Sequence, residues 1–468
     1  MSGEKIYIYH TNDIHSNLNY WPRIANELQE KRAIREEHGD FVLSFDIGDA
    51  SDRVHPLTEA TDGQAISELL NEGQYDAVTI GNNEGITNTK EQLNRLYEKS
   101  DYDVLLTNLF DAETNKRPKW ATPYKIYKTK TGDRIGVIGM TVPLDATYQR
   151  LGWKVTNPVK QLQKFFEEHK QEADFWILLS HLGIDQDRFL AKLFSIPLIL
   201  GAHTHHALLE GEMVAGTMLT GAGQFGRYIG EVIITKNREK LQVESARLID
   251  VKYDLSATPD EKERVANYHE RGHQLLNESK IAKIPMNLEY DWTKQTKLAD
   301  VTLDAIADFA GTDAAIINAG LLMGDMQKGV ITADDFHQTY PHPIRVMHCK
   351  IKGKYLLKFA EEVNDIDEKM IHQPVRGFGF RGEVFGKLCF KGLSISGQDV
   401  RWLGQKIEME KEYEIALIDY FSFLPFFETL NTYSTQQVLF PNFIRTVVSD
   451  YFAKKYPYKM KKGRSDSI

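Results

Sequence analysis

The chain has 468 residues, a net charge of −9 and a pI near 6.0, with 42% apolar and 26% charged residues. That length predicts two or three domains, and the composition excludes a disordered or low-complexity chain. The acidic balance excludes general attraction to nucleic-acid polymers or anionic membranes, and two cysteines, Cys349 and Cys389, are too few for a disulfide framework or a thiolate metal site.

In chain order, short β-type runs are expected at 6–9, 41–45, 77–80, 104–107, 135–140, 175–180, 198–200, 218–220 and 228–235. Stretches 22–35, 63–71, 89–99 and 159–170 carry apolar residues at helical spacing between them. This alternation predicts an α/β domain over the first 250 residues. A charged helix is expected at 258–279, with Pro259 where a helix can begin. After it, helix at 298–310, strand at 314–317 and helix at 353–363 predict a second α/β domain from about 285. The basic end from Lys459 to Arg464 reads as a solvated tail. The start, Met1-Ser2-Gly3-Glu4-Lys5 and then an apolar run, lacks the pattern of a secretory signal. No stretch reaches the roughly 18 apolar residues of a membrane helix. With so few cysteines, these features predict a cytoplasmic chain; a single Cys349–Cys389 bridge stays open.

Five segments place metal-type ligands just after a predicted strand, where open α/β sheets build their sites. They are Asp13-Ile14-His15, Gly48-Asp49, Gly81-Asn82-Asn83-Glu84, Ser180-His181 and Gly201-Ala202-His203-Thr204-His205-His206. One such segment is ordinary turn chemistry, but five at successive strand exits predict a shared centre. Carboxylates, imidazoles and an amide suit Mn²⁺, Zn²⁺, Fe or Co²⁺, and the absence of thiolates argues against a structural zinc site.

These motifs resemble those of the calcineurin-like metallophosphoesterases, and the wider pattern is similar to the 5′-nucleotidase, UDP-sugar hydrolase and cyclic-nucleotide phosphodiesterase family. Asn318-Ala319-Gly320, followed by 329–335, is similar to the start of that family's C-terminal domain. The resemblance implies a four-layer sandwich of two mixed sheets flanked by helices over 1–255, a connecting helix within 256–284, and an α/β substrate-binding domain over 285–468. It implies two divalent cations, one held by Asp13, His15, Asp49 and His205 and the other by Asp49, Asn82, His181 and His203, with Asp49 shared and a metal-bridging hydroxide as nucleophile. It also implies a nucleotide or other phosphorylated small molecule as substrate, with Asn318, Gly320, Arg376, Phe378 and one of Phe426 or Phe427 candidates to hold it.

Two departures bear on activity. Where the family has a His paired with an Asp three residues on, this chain has Asn83 and Ile86. Asparagine donates a neutral hydrogen bond but supplies no proton, and isoleucine orients nothing. Asn83 itself and Glu84 are the candidate catalytic groups here, with His55 and His206 as further substitutes. Where the family carries a substrate-gripping Arg after the Asn-Ala-Gly turn, Leu321-Leu322-Met323 follows; Arg345, Arg376 and Arg381 are the candidate replacements. Three readings stand: a 5′-nucleotidase-like hydrolase, a cyclic-nucleotide phosphodiesterase or nucleotide-sugar pyrophosphatase whose leaving group tolerates the missing pair, and a low-turnover nucleotide-binding or sensing protein.

Overall fold

The computed structural model describes residues 4–238, 240–375, 377 and 379–458, so Arg376, Phe378 and the basic tail from Lys459 lie outside the described residues. Two compact units divide the chain, Met1–Gly272 and His273–Ile468, with the division inside the helix Glu261–Glu278. Among the described residues, no helix is long and apolar enough to cross a membrane.

The first unit is built on two six-stranded sheets formed, among the described residues, by β1 (Ile6–Thr11), β2 (Phe41–Asp46), β3 (Ala77–Val78), β4 (Asp103–Val104), β5 (Tyr124–Lys128), β6 (Arg134–Thr141), β7 (Phe175–His181), β8 (Leu198–Gly201), β9 (Glu212–Val214), β10 (Thr217–Thr220), β11 (Tyr228–Asn237) and β12 (Lys240–Asp250). Their orders are β12-β11-β1-β2-β3-β4 and β9-β10-β8-β7-β6-β5. Both are mixed. β1 to β4 run parallel, as do β6, β7, β8 and β10, while β5, β9, β11 and β12 join antiparallel.

Side-chain alternation explains the layers. Ile8 and Phe45 of the first sheet pack with Val137, Ile177 and Leu200 of the second in one buried cluster. The alternate residues Ile138, Leu178 and Ile199 face outward onto Leu162 and Phe165 of helix Pro158–His169 and Leu190 of helix Ile184–Leu193. Helix Trp21–Glu37 buries Trp21, Ile24 and Leu28, and its Arg32 reaches the Val42 carbonyl and Ser44 on β2. β1 and β7 are buried at every position, which is why they read as continuous apolar runs, whereas edge strand β5 is half-buried along most of its length and the outer β12 alternates with exposed polar residues, and both escape the sequence reading. β3 and β4 are shorter than expected because only two residues of each enter the ladder.

The second unit holds a mixed five-stranded sheet, order β15-β13-β16-β14-β17, from β13 (Ala314–Asn318), β14 (Arg345–Lys352), β15 (Leu388–Lys391), β16 (Glu412–Ile418) and β17 (Ser434–Phe443). Helices Lys297–Ala310, Gly353–Met370 and Ile444–Lys455 share its core. The first starts at Thr296, whose hydroxyl accepts from the Ala299 N–H, and ends on Gly311 at φ 69°. Cys349 and Cys389 are buried, and burial pushes the Cys349 thiol up to about 11.

His342 is buried in this unit between two backbone partners. Its Nε2–H donates to the Leu321 carbonyl (2.9 Å), and its Nδ1 accepts from the Arg381 N–H (2.9 Å). Only the neutral ring satisfies both, since a second proton would face the Arg381 N–H. Burial, with help from Arg381 and Arg445, accordingly pushes it down to about 3. Between its unfolded value of 6.5 and about 3 the unfolded chain binds a proton that the folded chain does not. Stability therefore falls as pH drops through that window, by about 1.4 kcal/mol per pH unit from this group. Urea titrations at descending pH should show this slope, and His342→Gln should flatten it by that share.

Candidate metal centre

Five of the seven predicted ligands, Asp13, His15, Asp49, His203 and His205, have positive φ between 50° and 74°. Such conformations are costly for residues with a Cβ and cluster at functional sites. The surrounding backbone holds them there. Asp13 N–H donates to the Gly48 carbonyl (2.9 Å), His15 to Asp49 (2.9 Å) and Ser16 to Ala50 (2.8 Å), so the loops after β1 and β2 are zipped together. His181 closes β7, and His203 and His205 follow β8.

Tertiary folding sorts these side chains into two triads, Asp13–His15–His205 and Asp49–His181–His203, each with ligand atoms within 4.8 Å of one another. Asp49 Oδ2 faces both, 3.9 Å from His15 Nε2 and 3.5 Å from His181 Nε2. Asp49 Oδ1 accepts the Asn83 N–H (2.7 Å). Asp13 spends Oδ2 on Asn12 Nδ2 (2.7 Å) and the His203 N–H (3.0 Å), which leaves Oδ1. The His181 Nδ1–H donates to the Ile47 carbonyl (2.7 Å), a bond that leaves the Nε2 lone pair for a ligand.

Asp13 Oδ1, Asn82 Oδ1 and His181 Nε2 are buried and make no hydrogen bond within the protein. Buried polar atoms of this kind are destabilising unless something meets them. An oxygen of carboxylate, an oxygen of amide and an imidazole nitrogen are together a donor set for a divalent transition ion, so the residues fit the predicted cations. Burial disfavours the imidazolium at His181, but Asp49 and then Asp13 override it and hold the ring up to about 10. The same pairing pulls Asp49 well below the usual carboxylate range despite its burial. A divalent cation held by His181 would take the place of that proton.

Glu84 is held by the backbone around the centre. It is buried, and its two oxygens accept from the backbone N–H groups of Asp49, Gly81 and Ser51 and from the Ser51 hydroxyl, each at 2.9 Å. It is a positioning residue that ties the loop bearing Asp49 to the start of helix Asn82–Thr87. Gly81 is required at this junction because a Cβ there would run into Asp49 Oδ1. The Asn83 amide is likewise committed, with Nδ2 donating to the Ser51 carbonyl (2.9 Å) and lying 3.0 Å from His15 Nδ1. His55 caps the helix Pro56–Ala60, its Nδ1 accepting the Leu57 N–H (3.2 Å). His206 is exposed, 3.0 Å from the Thr204 hydroxyl.

In the second unit several substrate candidates are engaged by neighbours within the fold. Asn318 is fully buried, with Nδ2 on the Phe385 carbonyl (2.5 Å) and Oδ1 accepting from the Tyr420 hydroxyl. Gly320 lies against the Val384–Phe385 backbone, where a Cβ would collide. Phe427 is a core residue packed on Phe359, Phe385 and Phe421, out of reach of a ligand; Phe426 is half-buried on Phe385. Arg345 is buried against Phe440 and Phe443, with Nε on the Pro441 carbonyl (3.3 Å). Arg376 and Phe378 lie outside the described residues.

Residues 6–207 match the calcineurin-like phosphoesterase family and residues 279–424 the 5′-nucleotidase C-terminal domain. The chain is 34% identical over 459 residues to the metallophosphoesterase YunD of Bacillus subtilis, covering 95% of this chain and 98% of that one. It belongs to the calcineurin-like phosphoesterases that carry a 5′-nucleotidase C-terminal domain. It is 26% identical over 425 residues to a 5′-nucleotidase of Vibrio cholerae, covering 77% of this chain and 75% of the relative. Its fold matches the NAD nucleotidase of Haemophilus influenzae with a TM-score of 0.62 at 15% identity, over 98% of this chain and 97% of that one. The phosphoesterase is a hydrolase, and its sandwich of two mixed sheets flanked by helices is the family fold.

Two supporting residues escaped the sequence reading. Asn12 orients Asp13, and it also takes the Ala222 N–H on Oδ1 (2.8 Å) and donates to the Gly223 carbonyl (2.8 Å). Phe225 stands edge-on to His15, ring centroids 5.9 Å apart, at φ 62°. Their signal was an amide beside the Asp-X-His motif and a lone aromatic in the glycine-rich loop Gly221-Ala222-Gly223-Gln224-Phe225-Gly226 after β10.

Two outcomes follow from this geometry. Glu84→Gln replaces an acceptor by an amide whose NH₂ faces backbone donors; lost charged hydrogen bonds of about 1.5–3 kcal/mol each should appear as a lowered Tm and reduced metal uptake. Asp49→Asn removes the one carboxylate that faces both triads, and elemental analysis of metal-loaded protein should find occupancy reduced at both positions.

Proposed function

We propose that this phosphoesterase is a two-metal hydrolase of a nucleotide-like substrate, cleaving a phosphomonoester or phosphoanhydride. Asp13, His15, Asp49 and His205 would hold one divalent cation and Asp49, Asn82, His181 and His203 the other. The supporting observation is the placement of Asp49 Oδ2 between His15 and His181, within 4 Å of each. Mn²⁺, Zn²⁺, Fe or Co²⁺ suits the donors and, when bound, supplies an activated water and stabilises charge on phosphoryl oxygens. The 5′-nucleotidase relative from Vibrio cholerae supports a nucleotide as substrate. Residues 1–255 form the metal domain in this reading, 256–284 the connector and 285–468 the substrate domain. A chain with only two cysteines suits a reducing, cytoplasmic setting.

The protein's own groups orient rather than transfer protons. Ile47 fixes the His181 tautomer, Asn12 turns Asp13, and Glu84 locks the Asp49 loop. Asn83 supplies no proton, and its amide is engaged with Ser51 and His15. That favours leaving groups that depart as stable anions, as in a phosphoanhydride, over a ribose alkoxide. It is the observation behind the second reading, a nucleotide-sugar pyrophosphatase or cyclic-nucleotide phosphodiesterase, and at its extreme a low-turnover nucleotide-binding protein.

Positions 83 and 86 lie i, i+3 on the helix Asn82–Thr87, so a His and an Asp introduced there can meet. Asn83→His with Ile86→Asp should raise turnover of nucleoside monophosphates about tenfold more than that of p-nitrophenyl phosphate, equivalent to about 1.4 kcal/mol. Equal gains on both substrates would show that leaving-group assistance is already supplied elsewhere.

A further inference from the structure

The amide of Asn83 is held in one orientation. Its Oδ1 accepts from Asn82 Nδ2 (3.2 Å) and its Nδ2 donates to the Ser51 carbonyl (2.9 Å). Turning the amide over would set its oxygen against the Ser51 carbonyl and its nitrogen against Asn82 Nδ2, opposing like groups at both ends. With Nδ2 so fixed, its second hydrogen faces His15 Nδ1 at 3.0 Å, and that ring nitrogen can only accept. A neutral His15 then carries its proton on Nε2, which lies 3.2 Å from His205 Nε2. Nε2 is also the atom that His15 turns toward Asp13 Oδ1 and Asp49 Oδ2, at 3.8 and 3.9 Å. A nitrogen that bears a proton has no lone pair for a cation. His181 is arranged the opposite way, since the Ile47 carbonyl takes its Nδ1–H and leaves the Nε2 lone pair. His15 has an acceptor of that kind in the Asp52 carboxylate, but Asp52 Oδ2 stands 3.8 Å from Nδ1, farther than the Asn83 nitrogen. An amide donor and a carboxylate acceptor thus compete for one ring nitrogen, and the amide is the closer.

We propose that Asn83 is a positioning residue that opposes cation binding at His15. Its amide holds the ring in the tautomer with the proton on Nε2, and His15 becomes a ligand only when its Nδ1 passes from accepting the Asn83 amide to donating to Asp52. The proposal rests on the two-metal reading and gives position 83 control over the cation affinity of that centre. It also separates Asn83 from a purely structural bond: removing a scaffold residue loosens a metal site, whereas removing this amide should tighten one.

Two measurements on the full chain test this. NMR of the histidine ring nitrogens in metal-free protein at about pH 9, where an ordinary imidazole is neutral, should find the His15 proton on Nε2 and none on Nδ1. The signal is assigned by its loss in His15→Gln, and a proton on Nδ1 would overturn the proposal. In calorimetric titrations with Mn²⁺, Asn83→Ala and Asn83→Leu should tighten one cation about tenfold, the scale on which hydrogen-bond partners of ligand histidines act, or bring a second cation into range if the wild type takes up one. Neither substitution should tighten anything in a His15→Gln background, because the ring through which Asn83 acts is gone. Thermal melting checks folding. Weakened or unchanged affinity in both variants, or equal tightening without His15, would overturn the proposal. Should the wild type and both variants take up no Mn²⁺, the two-metal reading fails, and NMR of Asn83→Ala decides the hold of Asn83 on the ring separately. Transfer of the His15 proton from Nε2 to Nδ1 in that variant supports it, and an unmoved proton overturns it.

Discussion

The carboxylate of Glu84 accepts three backbone N–H groups and a hydroxyl from two loops that are more than thirty residues apart in sequence. Burial and the nearby Asp49 push it above the usual carboxylate range, while the Ser51 and Gly81 N–H groups work the other way. The candidate ligand cluster depends on this knot. It sets the backbone N–H of Asp49, and Asp49 is the carboxylate that both triads face. A buried anion satisfied on all sides can hold a loop in strained φ, where a mobile surface loop would relax.

Around that knot the unit concentrates conformations and charges that are unfavourable in isolation. Five candidate ligands occupy positive φ, and three buried ligand atoms, Asp13 Oδ1, Asn82 Oδ1 and His181 Nε2, make no hydrogen bond within the protein. The sandwich can carry these costs because its central strands are buried throughout and packed on both faces. Each fully buried Ile, Leu or Phe contributes about 1.5–3 kcal/mol. The chemistry sits at the C-terminal ends of parallel strands, where the backbone leaves the ladder and its loops converge.

The exchange of a His–Asp pair for Asn83 and Ile86 gives this site a distinct character. Asn83 is part of the scaffold, joining Ser51, His15 and Asp49. Its amide nitrogen is already engaged by Ser51 and His15, and an asparagine carries no proton to give.

Much of the site was legible in order along the chain, because ligand identity and strand exits are local properties. Asp13, His15, Asp49, Asn82, His181, His203 and His205 each follow or end an apolar run, and an apolar run is visible without knowing its neighbours. The buried strands were legible for the same reason, whereas β5 and β12 were not, since an edge strand keeps polar residues toward solvent and carries no continuous apolar run. Roles that depend on what lies opposite were decided only by tertiary structure. Glu84 reads as a catalytic acid until Asp49, Gly81 and Ser51 are seen to saturate it, and Phe427 reads as a ligand-stacking ring until Phe359, Phe385 and Phe421 close over it. Asn318 likewise loses its availability to Tyr420 and Phe385. The physical reason is common to all three: a side chain's type fixes what bonds it can make, but only the folded neighbours determine which of them are already made.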